Sequence, residues 1–244
     1  TAFVLCSLLA FATAWAAKPN ILVILVDDLG YGDLSSYGAK DLESPHIDKL
    51  MESGMRFDSF YANCPVCSPT RAALLCGRYQ ELVGVPGVVR THAENNWGYL
   101  KQDAVLLPQV LKPAGYHTAI IGKWHLGQTN GMAAHDQGFD ESLLMASGLY
   151  LPEDDPNVVN SKQNFDPIDR FLWRVLQYAA SFNGGDAFEP AKYLTDYYTE
   201  EAVKVIDANK DRPFFLYLAH WAPHTPLQAT QADYDALSHI ELHR

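Results

Sequence analysis

Three apolar runs form the framework of this 244-residue chain. They are rich in β-branched and aromatic side chains, which is typical of strands, and they span residues 19–26, 117–121 and 213–218. The first run contains no polar alternation, so it predicts a strand buried on both faces of a sheet. Helices are expected between the runs, over residues 44–50, 107–112 and 193–209. This order of elements predicts an α/β protein.

The middle of the chain departs from this framework. Residues 146–190 are rich in Asn, Asp, Pro and Gly, which favours a long excursion with one short helix over residues 171–180. Insertions of this kind often form the walls of a substrate pocket.

Each apolar run is followed by polar residues that can carry chemistry. Asp27 and Asp28 follow the first run, and Lys123 and His125 follow the second. The third run leads to His224, which lies between two prolines that restrict the direction of its backbone. Ligands of open α/β sheets bind at the carboxyl ends of the strands, and the Asp27-Asp28 pair is expected at such an end.

The residue types indicate what such a site would bind. Two adjacent carboxylates after a buried strand repel each other unless a cation holds them, and oxygen ligands favour calcium or magnesium over zinc. The alternative is a solvated acidic turn. Asp33, in the same loop, is expected to be a turn or cap residue. A lysine offers charge to an anion, and a histidine accepts protons near neutral pH. His220 competes with His224 for this role, but it lies inside the third run and lacks the flanking prolines.

Cys67 stands at the expected start of a further helix. Ser68 is expected to cap that helix, and Pro69 suits its first turn. Free backbone N–H groups and the positive end of the helix dipole would then lie beside the Cys67 side chain, with Arg71 one turn further on. This arrangement predicts an anion site. The alternative is an inert buried cysteine.

Together these segments resemble the sulfatase family. Cys67-Ser68-Pro69-Thr70-Arg71 resembles its Cys-x-Pro-x-Arg signature, although Thr70 stands where the family usually has serine and Cys76 where it usually has threonine. Three further motifs follow the family's order, namely Asp27-Asp28, the string from Gly122 to Gly127, and the Pro-His-x-Pro turn from Pro223 to Pro226.

The resemblance implies an alkaline-phosphatase-like α/β fold, in which helices flank both faces of a mostly parallel central sheet. It also implies that a formylglycine-generating enzyme oxidises Cys67 to formylglycine (3-oxoalanine). Asp27, Asp28 and the modified Cys67 would then bind Ca²⁺ in preference to Mg²⁺.

By the same resemblance, a hydroxyl of the hydrated aldehyde attacks the sulfur of an aryl sulfate or a sulfated carbohydrate. Arg71 would steady the nucleophile, while Lys123 and His224 would hold the sulfate and assist the departing oxygen. His125 would act as the base that releases sulfate. Ser147 is a candidate sulfate contact, with a plain loop serine as the alternative.

Charge and cysteine content narrow the possible functions. The net charge of −11 argues against a nucleic-acid-binding protein, which normally presents a basic face. It also means that an anionic substrate must be attracted by local groups. If Cys67 is converted, Cys64 and Cys76 could form a disulfide, or both could remain thiols.

The amino end predicts export. Residues 1–16 are apolar and end in a small-x-small cleavage site, as in a secretory signal peptide whose first residues are missing. The stretch is too short for a stable membrane span, so a secreted or periplasmic protein is expected.

Residues 17–244 are expected to be the amino-terminal part of a truncated sulfatase catalytic domain. The family's later Asp-Asn pair and sulfate-binding lysine would lie beyond Arg244, so the isolated chain is expected to fold poorly and to have little activity.

Two other functions remain open. One is a phosphate or phosphonate ester hydrolase of the same superfamily. The other is a secreted protein that binds sulfated ligands without hydrolysing them.

Overall fold

The computed structural model describes residues 18–90, 93–129 and 131–240. Its strands are β1 (Ile21–Asp27), β2 (His117–Gly122), β3 (Glu141–Met145), β4 (Val158–Ser161), β5 (Ala180–Phe182), β6 (Ala187–Phe188), β7 (Phe214–Pro223) and β8 (Leu227–Thr230). Its α-helices are α1 (Pro45–Ser53), α2 (Cys67–Cys76), α3 (Leu107–Leu111), α4 (Pro167–Val175), α5 (Leu194–Ala208) and α6 (Gln231–Ala236).

A six-stranded sheet in the order β1-β7-β2-β3-β5-β6 forms the centre of the fold. The first four strands in this order are mutually parallel, and β5 and β6 are antiparallel additions at one edge. Strands β4 and β8 form a separate antiparallel pair. The predicted mostly parallel sheet is therefore confirmed.

Helices cover both faces of this sheet, as predicted. On one face, α2 and α3 pack against the strands through side chains such as Ala72, Leu75 and Leu107. On the other face, α5 and α4 contribute Leu194, Tyr198 and Trp173 to a second hydrophobic cluster. Alternate residues of β7 point into the two clusters, because successive side chains of a strand point to opposite faces. This double burial explains why the third apolar run shows no polar alternation.

The prediction that β1 is buried on both faces is wrong. Its odd-numbered residues from Ile21 to Leu25 pack against the core, whereas Leu22, Ile24 and Val26 are 44%, 53% and 36% exposed. The reason lies in the topology. Strand β1 is at the edge of the sheet, and α5 packs over β7 and β2.

The middle segment is more ordered than its composition indicates. The helix predicted over residues 171–180 is wrong at both ends, since α4 begins at Pro167 and Ala180 lies in β5. Asp166 caps α4 by accepting a hydrogen bond from the Ile168 amide at 2.8 Å. An aspartate followed by proline is a common helix start.

The other expected elements are present. The helices predicted over 44–50, 107–112 and 193–209 correspond to α1, α3 and α5. Asp33 accepts a hydrogen bond from the Gly30 amide at 2.8 Å, which confirms it as a turn residue. The predicted signal peptide and Cys6 lie outside the described residues. Among the described helices, none has the length and apolar content needed to cross a membrane.

Candidate active site

Three neighbouring parallel strands bring their carboxyl ends to one edge of the sheet. Strand β1 ends at Asp27, Lys123 follows β2, and β7 leads into the turn that holds His224. Because β7 lies between β1 and β2, polar residues from distant parts of the chain meet here. Helix α2, which begins at Cys67, adds Arg71 to the same cluster.

Asp27, Arg71 and Lys123 form a buried ion cluster. Their exposed fractions are 6%, 1% and 2%. Lys123 Nζ donates to Asp27 Oδ2 at 2.5 Å, and Arg71 Nη2 lies 3.4 Å from Asp27 Oδ1. Arg71 Nη1 donates to the Lys123 carbonyl at 2.9 Å and to the Tyr217 hydroxyl at 3.2 Å. Each of the three charged side chains is therefore held by at least one other member.

Burial and charge act against each other in this cluster. Burial opposes ionisation of Asp27, but the Lys123 and Arg71 charges outweigh it and lower the pKa of the Asp27 carboxyl. Burial lowers the pKa of Lys123, although the Cys67 and Asp27 side chains oppose that effect. Cys67 lies one helical turn before Arg71, a member of the ion cluster.

Two nitrogen atoms of Arg71 in this cluster lack a hydrogen-bond acceptor among the described residues. Arg71 Nε and Nη2 are buried and make no hydrogen bond to any described residue. Two cationic side chains share one buried carboxylate, so the cluster carries excess positive charge. Buried charged groups require partners, and an anion would satisfy both the excess charge and the free N–H groups. These groups therefore favour the binding of an oxyanion.

His125 presents an unoccupied lone pair. Its Nε2 lies 2.9 Å from the Val89 carbonyl, which only accepts, so Nε2 carries the hydrogen in the neutral ring. Its buried Nδ1 has no partner in the described part of the chain and is thus a free acceptor. Burial, followed by the Lys123 and Arg71 charges, lowers the pKa of His125 to about 3. The ring is neutral at physiological pH, so the Nδ1 lone pair is available as a hydrogen-bond acceptor.

His224 is oriented by its neighbours. Its Nδ1 donates to the Thr225 carbonyl at 2.5 Å, and its ring stacks on Trp221 at 3.8 Å between ring centroids. Its Nε2 is left to face Asp28, whose Oδ2 lies 3.6 Å away. Burial and then the Lys123 charge lower the pKa of His224.

The turn around His224 is braced from the middle segment. The Tyr150 hydroxyl donates to the His224 carbonyl at 2.8 Å, and the Thr225 hydroxyl donates to the buried Asp169 carboxylate of α4. His220 instead lies within β7, paired with Val26 of β1. Of the two candidate histidines, His224 is the one that the structure brings beside Asp28.

The start of α2 differs from the prediction in one respect. The helix begins at Cys67 and its cap is Val66, so the predicted capping role of Ser68 is wrong. Ser68 is fully buried inside the first turn, where its hydroxyl accepts a hydrogen bond from the Val89 amide at 3.2 Å. Val89 thereby contacts both His125 and the residue next to Cys67. Pro69 lies in the first turn, as expected, where no helical amide partner is lost.

The remaining cysteines do not pair. Cys64, Cys67 and Cys76 are partly buried free thiols, so no disulfide joins Cys64 and Cys76. Burial raises the pKa of the Cys76 thiol.

Ser147 lies just beyond the carboxyl end of β3, at the same sheet edge. Its hydroxyl accepts a hydrogen bond from the Gln177 amide at 2.7 Å. Its recorded contacts are therefore with the 177–179 segment rather than with the ion cluster, and its role as a sulfate contact stays a prediction.

The predicted metal ligands form an incomplete oxygen site. Asp27 is engaged by Lys123 and Arg71, whereas the Asp28 side chain is 62% exposed and Asp28 has a φ of 65°. Carboxylate oxygens suit a hard cation such as Ca²⁺. Within residues 18–90, 93–129 and 131–240, however, no group of three His, Cys, Asp or Glu side chains is placed to hold a metal. The donors therefore fit calcium in type but not in number.

Sequence reasoning missed three residues that shape this site. Tyr217 and Trp221 lie in the apolar run of β7 and give no signal beyond a polar atom in a buried strand. Asp169 lies in the middle segment, where no pattern connects it to the turn at Thr225.

Comparisons with known proteins agree with this geometry. The family model for Sulfatase matches residues 19–238. Arylsulfatase A from Bos taurus is 47% identical over 235 residues, covering 89% of this chain and 44% of the relative. N-acetylgalactosamine-6-sulfatase from Sus scrofa is 37% identical over 227 residues, covering 88% of this chain and 41% of the relative.

A similar fold occurs in the crystal structure of Ps i-CgsB in complex with k-i-k-neocarrahexaose. The TM-score is 0.76 at 35% sequence identity, covering 92% of this chain and 49% of that chain. The chain thus spans less than half the length of the relatives it matches. With the family model matching nearly all of the described residues, the chain belongs to the sulfatase family.

Proposed function

We propose that the protein containing this chain is a sulfuric ester hydrolase that acts on an aryl sulfate or a sulfated carbohydrate. The observation that carries the proposal is the buried Arg71–Lys123–Asp27 cluster, with its excess positive charge and free Arg71 donors. A sulfate ester has negatively charged oxygens and a weakly electrophilic sulfur. The site must therefore neutralise those oxygens and supply a strong nucleophile.

Arg71 and Lys123 neutralise the ester. The fold already holds three donors in place, so little reorganisation accompanies binding. Arg71 Nε makes no hydrogen bond to a described residue, while Arg71 Nη2 and Lys123 Nζ both contact Asp27. Preorganised donors in a buried site stabilise developing charge more strongly than donors in water do. Asp27 fixes the direction of both cations, and its charge opposes the lowering of the Lys123 pKa by burial.

Two groups implied by family membership complete the proposal. When Cys67 is oxidised by a formylglycine-generating enzyme, the hydrated aldehyde supplies the nucleophilic hydroxyl and a second hydroxyl that allows sulfate to leave. Asp27, Asp28 and the modified Cys67 would hold Ca²⁺, which polarises oxygen atoms bound to it. An unmodified thiol has no second hydroxyl and could not complete the cycle.

The two histidines transfer protons at different stages of the reaction. His125 Nδ1 is a free acceptor, and it serves as the base for the hydroxyl that releases sulfate. His224 Nε2 faces the site beside Asp28. A bound anion raises the pKa of a neighbouring histidine, so ester binding favours the protonated His224 that assists the departing oxygen.

The relatives support the substrate class. N-acetylgalactosamine-6-sulfatase is named for a sulfated amino sugar, and Ps i-CgsB was solved in complex with k-i-k-neocarrahexaose. We propose that the protein acts on a sulfated glycan or a related small ester outside the cytoplasm, in keeping with its predicted signal peptide. The Ser147 contact belongs to this proposal and is supported by its position at the carboxyl edge of the sheet.

Two measurements on protein purified from its own host test the proposal. The tryptic peptide from Phe57 to Arg71 is weighed by mass spectrometry, and an aldehyde at Cys67 is the expected finding. Turnover is then compared on matched aryl sulfate and aryl phosphate esters, with faster hydrolysis of the sulfate expected. Faster hydrolysis of the phosphate ester would transfer the proposal to a phosphoric ester hydrolase, and an intact thiol without turnover would overturn it.

A matched cysteine provides the control. Cys64→Ala removes another partly buried free thiol three residues away. The Thr70 hydroxyl donates to the backbone carbonyl of residue 64, and that bond survives the substitution. Turnover is expected to persist in Cys64→Ala and to vanish in Cys67→Ala.

A further inference from the structure

Trp221 contacts two of the proposed catalytic groups at once. Its ring stacks on His224 with centroids 3.8 Å apart and an interplanar angle of 27°. Lys123 Nζ lies 4.1 Å from the centroid of the same indole. The side chain is 6% exposed, so both contacts are shielded from water.

The indole is itself fixed on its other side. Its Nε1 donates to the Gly148 carbonyl at 2.9 Å. Gly148 also allows the ring to approach closely, because a Cβ at that position would lie 3.2 Å from Trp221 Cζ2 and 2.7 Å from a Leu176 methyl carbon. The indole therefore has one anchored position, set by backbone that follows β3.

Lys123 needs such a support. A lysine ammonium sits on a flexible four-carbon stem, and the ion pair with Asp27 holds it from one direction only. An aromatic face attracts the ammonium from a second direction. Among the described residues, the His224 ring likewise makes one hydrogen bond, to Thr225, and the stacked indole restricts rotation of the imidazole about that bond.

We propose that Trp221 is a positioning residue for sulfate ester hydrolysis, which holds the Lys123 ammonium and the His224 imidazole at a fixed separation. This inference rests on the proposed function. The indole does not touch the reacting atoms. It sets where the sulfate-binding ammonium and the imidazole stand relative to each other, and small displacements of such groups have large effects on rate.

The test compares Trp221→Leu with Trp221→Phe in native-length protein from its own host. Leucine keeps apolar volume but removes the aromatic face, whereas phenylalanine keeps an aromatic face and loses the Gly148 hydrogen bond and part of the ring volume. We expect kcat on an aryl sulfate to fall by at least about tenfold in Trp221→Leu and by less than about threefold in Trp221→Phe. Formylglycine content is measured in each sample so that kcat refers to modified enzyme.

Trp173→Leu is the matched control. Trp173 is 8% exposed, belongs to the same hydrophobic cluster, and has Lys162 Nζ 4.9 Å from its ring centroid. The control is expected to lower the melting temperature while kcat stays within about twofold of wild type. Unchanged kcat in Trp221→Leu would overturn the inference, as would an equal loss of kcat in Trp173→Leu.

A binding measurement separates this inference from the proposed function. Inorganic sulfate binding is followed by calorimetry, which needs no turnover. If wild-type protein hydrolyses no sulfate ester, the proposed function fails. The role in hydrolysis fails with it, and what remains is that Trp221 positions Lys123 for anion binding. That part is supported if Trp221→Leu weakens sulfate binding at least about fivefold while Trp173→Leu does not. Equal sulfate affinity in wild type and Trp221→Leu, or no sulfate binding in wild type, overturns it.

Discussion

Lys123 Nζ lies 2.5 Å from Asp27 Oδ2, although 96 residues separate the two in the chain. Both residues are almost fully buried, at 2% and 6% exposure. The contact arises because β7 inserts between β1 and β2 and aligns their carboxyl ends. This ion pair joins the Asp27-Asp28 motif to the motif from Gly122 to Gly127. Arg71 connects both of them to the motif that begins at Cys67.

Removing the Asp27 charge should destabilise the protein strongly. Asp27→Asn leaves Lys123 and Arg71 as two buried cations without their carboxylate. Breaking a buried ion pair on one side costs about 3–5 kcal/mol of unfolding free energy. Denaturant unfolding in the presence of a chelator, which removes any contribution from bound calcium, measures this loss.

Asp28→Asn is the natural control for that experiment. Asp28 is the adjacent carboxylate, its side chain is 62% exposed, and asparagine tolerates its φ of 65°. The substitution should change the unfolding free energy by less than about 0.5 kcal/mol. Equal effects of the two substitutions would contradict the role assigned to the ion cluster.

Calcium binding should depend on Asp28. Asp28→Asn is expected to weaken Ca²⁺ binding by at least about tenfold, measured by calorimetry on native-length protein, because a charged oxygen ligand is lost. Asp33→Asn removes a third carboxylate from the same loop, yet its amide oxygen can still accept from Gly30. Calcium affinity should be unchanged there. An equal loss in both variants would indicate general charge attraction rather than ligation.

The hydroxyl of Tyr217 should stabilise Arg71. Tyr217→Phe removes the acceptor that lies 3.2 Å from Arg71 Nη1, leaving that donor with the Lys123 carbonyl alone. The expected cost is about 1–3 kcal/mol, measured by denaturant unfolding. Tyr198→Phe is matched in burial at 1% exposure, but the Tyr198 hydroxyl has no partner among the described residues. That control should be neutral or slightly stabilising.

Acid should destabilise the fold through His125. Its pKa is about 3 in the folded protein against an ordinary value of 6.5, so the unfolded chain binds more protons in that window. Its contribution to stability is complete above about pH 6.5 and is lost as the pH falls toward about 3. Between about pH 7 and pH 5 the loss is roughly 2 kcal/mol.

Two variants isolate this contribution. His125→Asn should show an acid destabilisation that is smaller by that amount, measured by denaturant unfolding at the two pH values. His46→Asn, at an exposed position of α1, should retain the full effect. Identical pH dependence in wild type and His125→Asn would contradict the assignment of this acid destabilisation to His125.

The main features of the site could be predicted because they are local in the sequence. Each strand end carries its own polar residues, and the α/β rule places strand ends together without knowledge of the strand order. The burial of β1 could not be predicted in this way. An edge strand and a central strand can have the same apolar composition. Which residues of β1 are covered depends on its place at the edge of the sheet, beside β7, and a single sequence does not show that place.

The residues that support the site could not be predicted from the sequence for a similar reason. Ser68 follows the cysteine and has a capping side chain, but the hydrogen bond from Val89 holds it inside the helix instead. In the sequence, Trp221 is one more apolar residue of β7. Its contacts with Lys123 and His224 form only when the chain folds. Long-range partners leave no periodic pattern in a single sequence.

The bond from Thr225 to Asp169 links two parts of the protein to which different roles are assigned. Asp169 belongs to α4, inside the excursion expected to wall the substrate pocket, while Thr225 adjoins the proposed proton donor His224. A change in the excursion that displaces Asp169 would remove this support from the turn that holds His224. An excursion exchanged with that of a relative would therefore need a replacement acceptor for the Thr225 hydroxyl.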